Sequence, residues 1–489
     1  LTKLGTDEDS IDDILKVDSC GLVVGHRGGK TATDSIQDQG DPKSIIFSGS
    51  WENFCGMLPF TVRICRRRIT EAQFLGALSL KTDPPNLRVL QFAPRTPWPL
   101  DTGAKLRNYH LARILAMQAR ISLLAFGDGQ NGTSALETVY EQIVTVPRRA
   151  GYSFTKVLRG AVGRTPLPLL NYTTNEMSKT LARVLAENDF DMVQVESIHL
   201  MNYLRVIRAA RNHPIVVCDW HNIESDLMGQ YADREQSIAR KTYARRTARL
   251  MNEFEQRALN EFDGHIVVSE PDAERLRRLN SHARIFVIEN GVDVSYYAGE
   301  QSAGKRRVVF VGSMDYHANI DGATNFARNV WPAVREKKPE MVFTIVGRDP
   351  SSEVRALSSI DGVEVTGSVD DVRPFYREAI AAVVPLNVGG GSRLKILEAM
   401  AAGVPVVSTK LGAEGLNSSD GENILLTDSA EQLAERLINV IDDQDLRRRL
   451  IEGGETLVRE RYDWSTLGTK LLVQYQAMAS GTSRSATDQ

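Results

Sequence analysis

The chain has 489 residues, 42% hydrophobic and 25% charged, with a formal net charge of -3. That length holds two or three domains with ample core, the composition is that of a soluble globular protein, and the charge gives no hint of a nucleic-acid partner. Cys20, Cys55, Cys65 and Cys218 lie far apart with no CxxC spacing, which argues against a zinc site or a disulfide framework and fits a reducing, cytoplasmic setting.

Residues 1–86 show short apolar runs broken by Gly, Asp and Ser, and read as a poorly patterned extension. Within them "LPFTVRICRRRITEAQFLGAL" is basic and apolar, suiting a solvated or membrane-touching helix. "GHRGGKT" (Gly25 to Thr31) resembles a phosphate loop, but the required first glycine would fall at Val24.

From Leu87 the pattern sharpens. Apolar, β-branched runs at 87–93, 121–126, 143–147, 191–196, 215–219, 265–269 and 284–288 alternate with helical periodicity. After a polar link (299–306) a second series follows at 307–312, 341–346, 363–366, 381–386, 405–408 and 424–427. Continuous apolar strands alternating with helices form parallel sheets covered on both faces. The expected fold is therefore α/β, with two doubly wound Rossmann-like domains facing across a cleft. The first spans 87–298 and the second 299–463; a helix over 464–480 packs back on the first, and 481–489 form a disordered tail.

In such folds ligands bind beyond the carboxyl ends of the strands, so the segments just after strands are the place to look. In the first domain these are "PRTPWPLDTGAKLR", which contains Gly103, "VESIHL" and "DWHNIES". His221 follows the run "PIVVCDW"; such a histidine is often a structural hydrogen-bonder, but Asp219, Asn222 and Glu224 beside it favour a cleft role. "GDGQNG" (Gly127 to Gly132) fits GxGxxG, yet the next strand ends at Pro147 with no carboxylate for a ribose. The stretch 234–257 carries seven basic and three acidic residues, as a solvated helical face or as a contact for an anionic membrane or lipid diphosphate.

In the second domain "VGSMDYHANIDG", with Ser313 and Asn319, "VTGSVDDVRPF", with Val369, and "LGAEGL" end strands in the same way. The densest signal is "NVGGGSRLKILEAMAAGVPVV". Gly389, Gly390 and Gly391 suit an anion nest, and a helix opening at Ser392 adds free N–H groups and a positive dipole end. Arg393 and Lys395 then fall where cations are disfavoured unless they hold an anion, and a diphosphate satisfies them. Glu398 is placed to accept hydrogen bonds from a pair of sugar hydroxyls. A solvated Lys395–Glu398 pair at i,i+3 would use the same residues for structure alone. Asp443-Gln444-Asp445 is a DxD on a charged helix and reads as a solvated face, so no metal and no other cofactor is expected.

The run "GGGSRLKILEAMAAGVPVVSTKLGAEGL" with "DGENILL" resembles the donor-site signature of family 4 glycosyltransferases, which are retaining, nucleotide-sugar-dependent enzymes of GT-B architecture. "PWPLDTGAKLRNYHLARILA", "DWHNIES", "VVSEPDAERL", "VIENGVD" and "VGSMDYHANIDG" resemble the family in the same order, over about 88 to 480. The resemblance implies that Arg393 and Lys395 hold the donor diphosphate, Glu398 the ribose and Val369 the base. Gly103 would approach the phosphates and His221 the donor sugar near the reacting carbon. Ser313, Asn319, Gly390, Gly391 and Ser392 complete the candidate donor site. Two departures stand out: Gly390 replaces a Glu common in the family eight residues before Glu398, and the usual Arg and Lys after the first strand of the second domain are missing. Both match a subgroup with GGG-S/T-R-x-K, and they leave open which residues hold the transferred sugar. The implied function is retaining transfer of a hexosyl group from a nucleotide sugar to a glycan or lipid-linked acceptor. That places the enzyme in cell-surface polysaccharide synthesis, in the cytoplasm or peripherally at the inner membrane face. A catalytically silent scaffold or a sugar-nucleotide epimerase of the same architecture is the alternative.

Overall fold

The computed structural model describes residues 87–486 apart from 128–132, 149–159, 161–162, 301, 303–305 and 389–392; before residue 87 it describes only two strands. Those strands, β1 (Leu15–Val17) and β2 (Val23–Gly25), pair antiparallel in a separate unit, Leu1–Thr82. The basic apolar stretch at 58–78 and most of "GHRGGKT" and "GDGQNG" lie outside the described residues.

The unit Asp83–Gln489 contains two parallel sheets. The first has seven strands: β3 (Arg88–Ala93), β4 (Arg120–Phe126), β5 (Gln142–Val146), β6 (Met192–Glu196), β7 (Ile215–Trp220), β8 (Gly264–Val267) and β9 (Ile285–Val287). Their order is β5-β4-β3-β6-β7-β8-β9. The second has six: β10 (Arg307–Val311), β11 (Val342–Val346), β12 (Val363–Gly367), β13 (Ala379–Val384), β14 (Val406–Thr409) and β15 (Leu425–Thr427), ordered β12-β11-β10-β13-β14-β15. Each strand lies within two residues of its position in the sequence reading. Central strands such as β6 and β13 are buried along their whole length; β13 is the near-continuous Ala, Ile and Val run that cover on both faces calls for, whereas β6 also buries Gln194 and Glu196.

In each sheet the winding reverses between the first strand and the fourth, β3 beside β6 and β10 beside β13. That switch point splays the following loops apart and opens a crevice. The loop after β3 leads to the helix Gly103–Leu115, whose N-cap Thr102 accepts a hydrogen bond from Lys105 N. The loop after β10 carries Gly312–Tyr316 and leads to the helix His317–Asn325, which holds Asn319, and the loop after β13 leads to the helix Leu394–Ala401.

The closing helix, Trp464–Ala486, belongs to the first sheet's core. Trp464, Leu467, Leu471, Tyr475 and Met478 pack with Leu111, Leu115 and Ile121. Gly468 permits the approach, since a Cβ there would lie 2.5 Å from Ile114 Cβ. The helix runs on to Ala486, so most of the segment read as a disordered tail is helical. Extending an already anchored helix costs far less than starting one, which outweighs the Ser/Thr/Gly composition. The two crossings between domains run side by side: Val292 N donates to Tyr462 O at 2.8 Å, and Trp464 N donates to Val292 O at 3.2 Å.

Candidate active site in the cleft

A cavity of about 950 Å³ lies between the domains, at the carboxyl ends of both sheets. The first domain contributes Trp98, Gly103 and His110, and the second Ser313, Asn319, Arg393, Lys395 and Glu398. His110 stacks on Trp464 at 5.4 Å, joining this wall to the closing helix.

Lys395 is the most constrained cation there. Its Nζ donates to Asn319 Oδ1 at 2.5 Å and sits 4.8 Å from the centre of the Phe310 ring. Burial lowers its pKa to about 8; Glu398 opposes the shift and Arg393 adds to it. Asn319, itself buried, is held by its Nδ2 donating to Ser313 O at 2.8 Å. Glu398 accepts hydrogen bonds from Tyr297 and, at 3.4 Å, from Tyr376, and burial raises its pKa. It forms no direct ion pair with Lys395, so the simple i,i+3 surface pair is not what these residues do.

Arg393 departs from the sequence reading. It is not in the first helical turn: the helix begins at Leu394, and Arg393 stands at the N-cap position with φ 25°. A non-glycine residue in this region is uncommon and strained. Its Nε donates to Glu414 O at 3.1 Å, and Glu414 Oε2 lies 3.5 Å from its NH2, so the guanidinium has a structural partner. Burial lowers its pKa despite Glu414. Gly390, Gly391 and Ser392 lie outside the described residues. Val369 does not line the cavity; Val372, three residues along the same loop, does.

His221 is not on this cavity but on a neighbouring one of about 520 Å³, and the two share Gly103 and Arg393. His221 Nε2 lies 3.0 Å from Glu196 Oε2. Burial works to lower the His221 pKa, but the Glu196 hydrogen bond and the Asp219 and Glu196 charges outweigh it, and the balance is upward. Glu196 is fully buried; Gln91 and Gln194 donate to its Oε1 at 2.6 and 2.7 Å. Behind them Tyr140 donates to Gln91 and Tyr475 to Gln194, each at 2.6 Å. In the amide orientation that satisfies its neighbours, Asn108 donates to Glu196 Oε2 at 3.1 Å. Arg107 grips Asp219 with Nε at 2.9 Å and NH2 at 3.1 Å, and donates to Glu289 O at 2.9 Å. Burial of this order is tolerated only for charges that are paired and fully hydrogen-bonded.

Sequence reasoning missed Glu196, Arg107 and the glutamine–tyrosine braces. The available signal was polarity out of place: Gln91 and Gln194 interrupt apolar strands, and Glu196 ends one. Glu196, Asp219 and His221 lie close enough to share an ion, but their atoms are already committed to Gln91, Gln194 and the Arg107 fork. An ion does not fit there. The DxD is a helix cap: Asp443 Oδ1 accepts from Asp445 N and Leu446 N, both at 2.9 Å.

Two family models match the chain in tandem, "Glycosyltransferase Family 4" over residues 103–296 and "Glycosyl transferases group 1" over 305–443, one on each sheet domain. The chain belongs to the family 4 glycosyltransferases. Among curated relatives, this glycosyltransferase is 31% identical over 209 residues to the phosphatidyl-myo-inositol mannosyltransferase of Mycobacterium leprae, covering 40% of this chain and 54% of that protein. It is 26% identical over 212 residues to the glycogen synthase of Mycobacterium tuberculosis, covering 41% and 50%. The chain thus spans about half the length of the curated relatives it matches. Among solved structures, sucrose-phosphate synthase from Thermosynechococcus elongatus superposes with a TM-score of 0.59 at 17% identity, covering 81% of this chain and all of that one. Anabaena HepE, solved with UDP and glucose, gives 0.54 at 16% identity, covering 79% and 99%. These similarities establish the GT-B fold of the glycosyltransferase.

Proposed function

We propose that this glycosyltransferase moves a hexosyl group from a nucleotide sugar to a glycan or lipid-linked acceptor, with retention of anomeric configuration. The reading rests above all on Lys395, a cation held in a part-apolar wall at the start of a helix, in the cavity that both domains line. A desolvated cation of this kind is costly unless an anion completes it.

The donor diphosphate would lie over Lys395 and Arg393 at the N-terminus of Leu394–Ala401, with its ribose hydroxyls on Glu398. As the bond from the anomeric carbon to the diphosphate oxygen breaks, negative charge builds on that oxygen. Fixed cations and the helix dipole stabilise it without reorganising. The acceptor hydroxyl bonds to the same face of the anomeric carbon, and its proton passes to the departing phosphate. His221, oriented by Glu196, would bind the sugar in the adjoining cavity. The structure of HepE with UDP and glucose, and the mannosyl transfer named for the mycobacterial relative, support a nucleotide-sugar donor. A donor-hydrolysis and transfer assay over UDP-, GDP- and ADP-sugars, with the product anomer read by NMR, tests the reading. No release of nucleoside diphosphate from any donor overturns it, and an inverted product overturns retention.

Peripheral binding to an anionic membrane is proposed with it. No helix among the described residues is long and apolar enough to cross a membrane. The helices Glu224–Arg234 and Ile238–Glu261 expose Leu227, Tyr231, Ile238 and Tyr243 next to Arg240, Lys241 and Arg245. Arg246 is not part of that face, since it donates to Gly160 O and Gly163 O. Each basic residue at an anionic surface contributes about 1 kcal/mol, screened by salt. Co-sedimentation with phosphatidylserine vesicles should be lost in high salt and on reversing Arg240, Lys241 and Arg245 to Glu. Absence of binding at low salt refutes it.

A further inference from the structure

The loop after β10 lacks the cations expected there, and the geometry points to where the missing charge comes from. β10 and β11 are parallel neighbours in register, Val311 beside Val346. Their following loops are pressed together: a Cβ on Gly347 would stand 1.7 Å from Gly312 O, so only glycine fits. Gly312 N donates to Val346 O at 3.0 Å, and Met314 N donates to Arg348 O at 2.9 Å. The contact fixes the Arg348 backbone beside the Ser313 loop, on the wall of the larger cavity.

The side chain is aimed by Ser313. Arg348 Nε donates to Ser313 Oγ at 3.0 Å, and Ser313 Oγ in turn donates to Asp315 Oδ1 at 2.6 Å. The hydroxyl therefore has its proton turned away and a lone pair turned to the guanidinium. Nε is used, while the two terminal nitrogens have no hydrogen-bond or ion-pair partner among the described residues. Through Ser313 the chain of contacts continues to Asn319 and Lys395, at 2.8 and 2.5 Å. Lys395 and Arg348 thus stand on one hydrogen-bonded rail, the first on a helix after β13 and the second on a loop after β11.

We propose that Arg348 is a further donor-binding residue, its fork closing on the phosphates of the nucleotide from the β11 side, with Ser313 as its positioning residue. The proposal rests on the nucleotide-sugar reading. A guanidinium fork with both outer nitrogens open matches the spacing of two phosphate oxygens. It supplies from a neighbouring strand the charge that "GSMDYHAN" does not.

The test measures affinity of the full chain by calorimetry. UDP, GDP and ADP identify the preferred base, and the matching monophosphate and nucleoside are then compared. Arg348→Ala should weaken the diphosphate about tenfold to a hundredfold, leave the nucleoside unchanged, and be partly rescued by Arg348→Lys. Ser313→Ala should weaken the diphosphate in the wild-type background and have little effect in the Arg348→Ala background. Equal losses for diphosphate and nucleoside overturn the phosphate assignment in favour of base recognition. Unchanged diphosphate binding in Arg348→Ala, with binding lost in Lys395→Ala, overturns the role of Arg348 alone. Unchanged binding in both overturns the nucleotide-donor reading itself.

Discussion

Replacing Lys395 by Met separates binding from folding, and the structure gives the sizes of both effects. Burial takes the Lys395 pKa from 10.5 to about 8. At about 1.4 kcal/mol per tenfold, that is a cost of about 3 kcal/mol for keeping the cation in the folded wall. Met removes that cost, keeps an unbranched apolar stem against Phe310, and leaves the buried Asn319 Oδ1 without its donor, which costs about 1–3 kcal/mol. The two effects nearly cancel, so the melting temperature should move by only a few degrees. Binding has no such compensation. A charge-assisted contact to a phosphate is worth about 1.5–3 kcal/mol, so affinity for the nucleoside diphosphate should fall by about tenfold or more at pH 7. Turnover should fall by about a hundredfold or more, because the contact strengthens as the leaving group gains charge. The pH dependence carries the sign: with a folded pKa of about 8, the free protein loses the cation as pH rises through 8, and wild-type affinity should decline from pH 7 to 9 while the Met variant changes little. Calorimetry with the diphosphate across that range, beside thermal melts, makes the measurement. A variant that binds as tightly as wild type, or one that loses binding only because it unfolds, refutes the reasoning.

Glu224, raised from 4.5 to about 7 by burial and the Glu255 charge with His221 opposing, favours the folded state while protonated. Its contribution is full below pH 4.5 and is lost as pH rises through 7, up to about 3 kcal/mol, so Glu224→Gln should flatten the denaturation midpoint between pH 5 and 8. Identical slopes for variant and wild type count against it. Turnover should persist in excess EDTA, since Lys395 and Arg393 stand where a leaving diphosphate would need charge; full inhibition reversed by manganese would show otherwise. A chain beginning at Asn86 should fold and bind nucleoside diphosphate as the full chain does, because Leu1–Thr82 forms its own compact unit. An insoluble product, or one that has lost binding, would contradict this.

The strand ladder was legible because β-branched runs buried on both faces leave little room for other readings, and β10 and β13 fell where their Val and Ala runs did. Lys395, Glu398, Ser313, Asn319 and Gly103 were legible as residues following strands, and the cavity gathers all five. The Arg393 conformation was not, because a helix boundary one or two residues later turns a first-turn cation into a cap residue with a Glu414 partner. Nor was the Arg107–Asp219 fork, whose halves stand 112 residues apart in the chain. Pairing of buried charges is a tertiary property, and local pattern carries no trace of it.

The route of the chain's last helix has a consequence for biosynthesis. Gln194, which braces Glu196 beneath His221, takes its own hydrogen bond from Tyr475. That tyrosine leaves the ribosome only after every strand of the sheet it completes, and Gln194 is encoded 281 residues earlier. The first domain must therefore wait, with the apolar face of Gly103–Leu115 uncovered, until the helix Trp464–Ala486 has been made. A chain stopping before Trp464 would carry every strand of both sheets and yet leave Gln194 without the hydrogen bond from Tyr475. Synthesis of this helix is thus built into the assembly of the cleft.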